Sequence, residues 1–125
     1  MAILRLDHVQ LAAPAGCEPE ARRFFGELLG LEEIEKPEPL LGRGGAWFAL
    51  ASGQQLHVGV EDPFAPARQA HPALAAASAG DGLDQLAGDL SAAGFPVTWD
   101  DSLPGQRRFF TEDPWGNRIE LLAER

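Results

Sequence analysis

Gly53-Gln54-Gln55-Leu56-His57-Val58 and Gly116-Asn117-Arg118-Ile119-Glu120-Leu121 lie 63 positions apart and match in character at each step. Glycine meets glycine, and the apolar neighbours of His57 meet those of Glu120. The same offset carries Gly42 onto Gly105 and His8 onto His71, so His8 to His57 and His71 to Glu120 each span 49 positions. Two of the three histidines thus hold equivalent places in two half-chains, and the third is matched with a glutamate. Imidazole and carboxylate are ordinary ligands of a borderline divalent metal. Four positions obeying one internal symmetry, His8, His57, His71 and Glu120, are therefore the candidate ligands.

At 125 residues the chain reads as one domain, long enough to bury a core without disulfides. A net charge of −9 argues against a nucleic-acid partner, which needs a basic face. Lys36 is the only lysine, so arginine supplies nearly all the positive charge. The single cysteine, Cys17, excludes an internal disulfide framework and reads as incidental. No apolar run approaches the roughly 20 residues of a membrane span, and no signal segment opens the chain. The expected location is cytoplasmic, with no membrane partner.

Residues 3–12 alternate as a strand, with Val9 and Leu11 on one face and His8 and Gln10 on the other. A helix is predicted from about Glu18, with Pro19 in its first turn, Phe24, Phe25, Leu28 and Leu31 at helical spacing, and Gly30 as the stop. Short strands follow at 31–36, 45–50 and 54–60, the last two joined by Ala51-Ser52-Gly53. Module 1 spans about 1–61, the proline-bearing stretch 62–70 is a linker, and module 2 spans about 71–125. There the order repeats. A strand is expected at 71–78, a helix capped by Asp81 and closed by Gly94, and strands at 95–99, 107–111 and 118–123.

The reading is an α+β protein of two βαβββ modules forming a curved mixed sheet. Each helix covers one sheet face and takes Leu56, Val58, Ile119 and Leu121. The other face carries His8, His57, His71 and Glu120, with Gln55 and Arg118 beside them. A concave face of this kind suits a small-molecule substrate. Trp47, Phe109 and Phe110 are candidates to line it, with Trp47 and Phe109 taken as substrate-binding alongside Gln55 and Arg118.

The chain resembles the vicinal oxygen chelate superfamily, which includes glyoxalase I, bleomycin-resistance proteins, fosfomycin-resistance thiol transferases, methylmalonyl-CoA epimerase and extradiol dioxygenases. The resemblance rests on Leu6-Asp7-His8-Val9, the helix from Ala21 to Leu31, His71-Pro72-Ala73-Leu74, and above all Arg108 to Leu121 with its Asp113-Pro114-Trp115-Gly116-Asn117 turn. It implies a metal site with one ligand from the first and one from the last strand of each module. Carried over position by position, these are His8, His57, His71 and Glu120. The family's glyoxalase pattern has glutamate or glutamine where this chain has His57. The subset His8, His71 and Glu120 is the two-histidine-one-carboxylate set of dioxygenases and fosfomycin enzymes. The resemblance further implies a homodimer with module exchange, in which His8 and His57 of one chain meet His71 and Glu120 of its partner.

One divalent ion, whether Zn, Ni, Co, Mn or Fe, can hold two adjacent substrate oxygens and stabilise an enediolate. Glu120, the only carboxylate of the set, is the candidate catalytic base. Gln55 and Arg118 would hold an anionic or carbonyl end of the substrate. The expected activity is a metal-dependent, glyoxalase-like lyase or isomerase acting on a small oxygenated substrate. The alternatives are a non-haem iron dioxygenase and a non-catalytic drug- or metabolite-binding protein. The absence of tyrosine disfavours extradiol cleavage, which in this family relies on one.

Overall fold

The structure, a computed structural model, describes residues 1–77 and 81–124. The chain divides into two compact units, Met1–Ala65 and Pro66–Arg125. Each builds its own four-stranded mixed sheet.

In the first unit β1 (His8–Ala13) leads through a helical segment to β2 (Glu32–Ile34), β3 (Ala46–Ala49) and β4 (Gln55–Val60). The sheet order is β1-β4-β3-β2, with β1 parallel to β4 and the remaining pairs antiparallel. The predicted first strand begins five residues late. Its partner β4 starts at Gln55, opposite His8, because the chain before Gln55 turns away through Ala51-Ser52-Gly53. Ile3, Leu4 and Leu6 consequently stay exposed, although Gln54 Nε2 reaches back to the Leu6 carbonyl at 3.3 Å.

The helical segment opens as α1 (Glu18–Ala21) with proline in its first turn, then widens to π geometry over Arg22–Leu28. Leu29 N–H donates to Phe24 O, five residues back, at 3.0 Å. The segment buries two consecutive rings, Phe24 and Phe25, which meet edge-on at 4.9 Å between centroids. Phe25 also packs on Phe48 of β3. Gly30 ends the segment at φ +76, a conformation that favours glycine. Between β2 and β3 the chain forms a 3₁₀ turn over Glu38–Arg43. Cys17 is buried and its thiol, beside Glu18 at 3.2 Å, is pushed up to about 11, first by burial and then by that carboxylate. A thiol held that high is a poor nucleophile.

The second unit repeats the plan with β5 (Ala73–Ala76), α2 (Gly82–Ala92), β6 (Thr98–Asp100), β7 (Arg108–Glu112) and β8 (Arg118–Ala123). Its order is β5-β8-β7-β6, again with first and last strands parallel. The strand foreseen from His71 starts at Ala73, and its predicted end, Ser78, lies outside the described residues. Asp81 occupies the N-cap of α2 without a side-chain cap bond, and Leu83, Ala87 and Leu90 form the buried face. The predicted 95–99 strand shifts to Thr98–Asp100 because α2 runs into a Gly94 turn, with Phe95 N–H bonded back to Leu90 O.

The last hairpin turn is organised by one carboxylate. Asp113 accepts from the N–H groups of Trp115 and Asn117 at 3.0 and 2.9 Å, and from Asn117 Nδ2 at 2.8 Å. Burial pushes Asp113 above the ordinary carboxylate value, against the pull of these donors. Asn117 Oδ1 accepts from Ala67 N–H, and Ala67 O accepts from Arg118 N–H, both at 2.9 Å. The proline-bearing stretch is thereby fastened to the start of β8.

Candidate functional site

Strand alternation sorts side chains in both units as anticipated. Leu56, Val58, Ile119 and Leu121 are buried on the helix side. On the other face of the first sheet, His8 stands opposite Gln55 and Trp47 opposite His57. Three rings form a ladder there. Trp47 lies 3.7 Å from His57 with an interplanar angle of 3°, and His57 lies 4.3 Å from His8 at 19°. His57 is buried, and its Nε2–H donates to Gln55 Oε1 at 2.8 Å. Burial first, then the neighbouring His8, holds its imidazole below the ordinary 6.5. His8 remains half-exposed, with Nδ1 2.9 Å from Asp7 Oδ2.

The equivalent face of the second sheet is ionic. His71 Nε2 lies 3.0 Å from Glu120 Oε1, and Arg108 Nη1 donates to Glu120 Oε2 at 3.3 Å. Arg108 Nη2 in turn reaches Asp100 Oδ1 at 3.4 Å and Ser102 Oγ at 3.3 Å. Glu120 is buried, so Arg108 supplies the positive charge that offsets its desolvation. Phe110 stands opposite Glu120 in the sheet, meets His71 edge-on at 5.4 Å, and carries the Arg118 guanidinium 3.9 Å above its ring.

The structure therefore brings His8 and His57 together in one unit and His71 and Glu120 together in the other. Trp47, Gln55 and Arg118 share the faces foreseen for them. Phe109 does not. It is fully buried, opposite Leu121 and against Trp99, on the helix side, and the aromatic of this strand on the face of Glu120 is Phe110. The repeat already encoded the choice, since the 63-position offset carries Trp47 onto Phe110. Arg108 was quoted as part of a motif without a role, and its signal is weaker because the offset places it on Gly45.

The donors suit a divalent ion in pairs. The 3.0 Å between His71 Nε2 and Glu120 Oε1 matches the separation, about 3 Å, of adjacent donors on an octahedral ion with bonds near 2.1 Å. His71 Nδ1–H donates to Gln69 O at 2.9 Å, the backbone anchoring usual for a metal-binding imidazole. His8 is held through Nδ1 in the same way, which leaves its Nε2 as the donor. His57 has Nε2 engaged by Gln55, which leaves Nδ1. Among the described residues no group of three or more His, Cys, Asp or Glu side chains is placed to hold a metal. Each unit brings together two of the four candidate donors.

Among the described residues no helix is long and apolar enough to cross a membrane. No curated protein matches the sequence. A glyoxalase family protein from Bacillus anthracis shares 46% identity over 100% of this chain and 98% of its own, with a TM-score of 0.89. A glyoxalase/dioxygenase from Nostoc punctiforme shares the fold at 20% identity and TM-score 0.79, over 99% of this chain and 93% of its own. So does a fosfomycin resistance protein from Listeria monocytogenes, at 18% identity and TM-score 0.77, over 98% and 93%. Residues 5–121 match the model of the Glyoxalase/Bleomycin resistance protein/Dioxygenase superfamily, and with the duplicated βαβββ plan this match establishes that the chain belongs to it.

Proposed function

We propose that the protein is a metal-dependent lyase or isomerase acting on a small substrate with two adjacent oxygens. The observation that carries this reading is the pairing of His71 Nε2 with Glu120 Oε1 at 3.0 Å, an imidazole and a buried carboxylate poised at ligand spacing. His8, His57, His71 and Glu120 would hold one Zn, Ni, Co, Mn or Fe ion. Bound there, the ion would chelate the substrate oxygens and acidify the neighbouring C–H.

Glu120 is the proton carrier. It would take the proton from one substrate carbon and return it to the next on Oε1, freed from its ligand role for that step, with Arg108 steadying Oε2. Gln55 has its amide oxygen committed to His57, so its NH₂ group is free to donate to a substrate carbonyl. Trp47 and Phe110 flank the substrate, and Arg118 holds its far end. The complete ligand set arises in a homodimer by module exchange, and the protein works in the cytoplasm.

Metal analysis after reconstitution with each ion tests the first step, with about one ion per chain expected. Sub-stoichiometric metal in every case would favour a binding protein. Mixing His8→Ala with Glu120→Ala chains tests exchange, since one intact site per heterodimer should restore metal binding. Heterodimers without recovery refute it.

The Gln55–His57 bond and the burial of His57 support a second reading. If His57 serves the ring ladder alone, His8, His71 and Glu120 form the three-ligand set of a non-haem iron(II) dioxygenase. Oxygen uptake by the iron-loaded protein on catechol substrates distinguishes the two.

A further inference from the structure

The second unit carries a cleft of about 320 Å³ lined by Arg68, Thr98, Phe110, Thr111, Glu112 and Arg118. Arg118 is pinned by its face on Phe110 at 3.9 Å. Stacking uses the guanidinium's π-surface and leaves its in-plane N–H groups for another partner. Among the described residues, neither Arg68 nor Arg118 forms a salt bridge, in a chain of net charge −9. Asp100, also on the cleft, is committed to Arg108 and, at 2.6 Å, to Ser102 Oγ. Only the exposed Glu112 is left to oppose the two arginines.

The geometry points to this cleft as the subsite for an anionic oxygen group at one end of the substrate, a carboxylate or a phosphate. Arg118 and Arg68 supply charge-assisted hydrogen bonds. The inference extends the substrate role proposed for Arg118, but its geometry involves no metal ligand, so the two can fail separately.

Titration of ¹⁵N-labelled protein with malonate and with inorganic phosphate, at ionic strength held constant with chloride, reads the arginine Nε–H signals directly. Saturable shifts of Arg118 and Arg68 are expected, and the tighter ion names the group. Arg118→Gln and, separately, Arg68→Gln should weaken binding roughly 10- to 100-fold, the loss of one charge-assisted bond. Glu112→Gln should tighten it. Metal stoichiometry should be unchanged in Arg118→Gln, which separates this subsite from the proposed metal site. Shifts that chloride reproduces, or that survive unchanged in both folded arginine variants, overturn the proposal.

Discussion

The two modules share a backbone plan and the register of their last strands, yet one face is a ladder of stacked rings and the other a chain of charges. In the first, Trp47, His57 and His8 stack across three strands. In the second, Ser102 and Asp100 hold Arg108, Arg108 holds Glu120, and Glu120 meets His71. The cause lies in two substitutions across the repeat. Glutamate replaces histidine on the last strand, and arginine at 108 falls where the first module has Gly45. Gly45 has no alternative, because at φ +86 a Cβ would collide with the Val58 carbonyl. A buried imidazole needs no counter-charge, whereas a buried carboxylate does. Duplication copied the scaffold, and each copy then balanced its own polar residue.

The largest expected effect comes from removing the carboxylate's chemistry while keeping its shape. Glu120→Gln should leave the fold and weaken metal binding modestly, but turnover on any substrate found should fall by roughly 10²–10⁴. Near-full turnover would transfer the advantage to the oxygenase reading. His57→Gln, its counterpart in the other module, should be mild.

Arg108→Met tests the charge chain as a structural device. It strands the buried Glu120 without its cation, and urea denaturation should show a loss of about 2–4 kcal/mol. Asp113→Ala removes the acceptor for the turn before β8 and should cost about 2–3 kcal/mol by the same measurement. If Arg108→Met were neutral, the contrast between the modules would be one of chemistry alone.

Smaller effects should come from the ring ladder. Trp47→Leu keeps apolar bulk but removes the stack, a loss of about 0.5–1.5 kcal/mol. The metal-free protein should also lose stability as pH falls below 6.5. His57 is held below that value in the fold, so the unfolded chain binds the extra proton first and the neutral ladder is favoured only above it. His57→Leu should flatten that part of the stability profile, and an unchanged slope would show that the ladder tolerates charge.

The duplicated plan, the helix-side residues and the pairing of His8 with His57 and His71 with Glu120 were legible because glycine spacing and alternation of period two are local. Three things were not. The start of β1 depends on where its parallel partner β4 starts, and no pattern within residues 3–12 records that position. The choice between Phe109 and Phe110 turns on strand phase, which adjacent aromatics hide, though the repeat offset resolves it. The role of Arg108 arises from three residues distant in sequence, Asp100, Ser102 and Glu120, and so belongs to tertiary structure alone.

In each module the strand synthesised last is the one inserted between the first strand and the earlier hairpin. A nascent chain holding β1, β2 and β3 therefore has an unfilled slot at the centre of its sheet, and β1 has no neighbour until β4 emerges. At the usual pace of translation the 49 residues from His8 to His57 take roughly 2–10 s. The candidate donor pair is completed only with this keystone strand, so an unfinished module carries one imidazole without its partner.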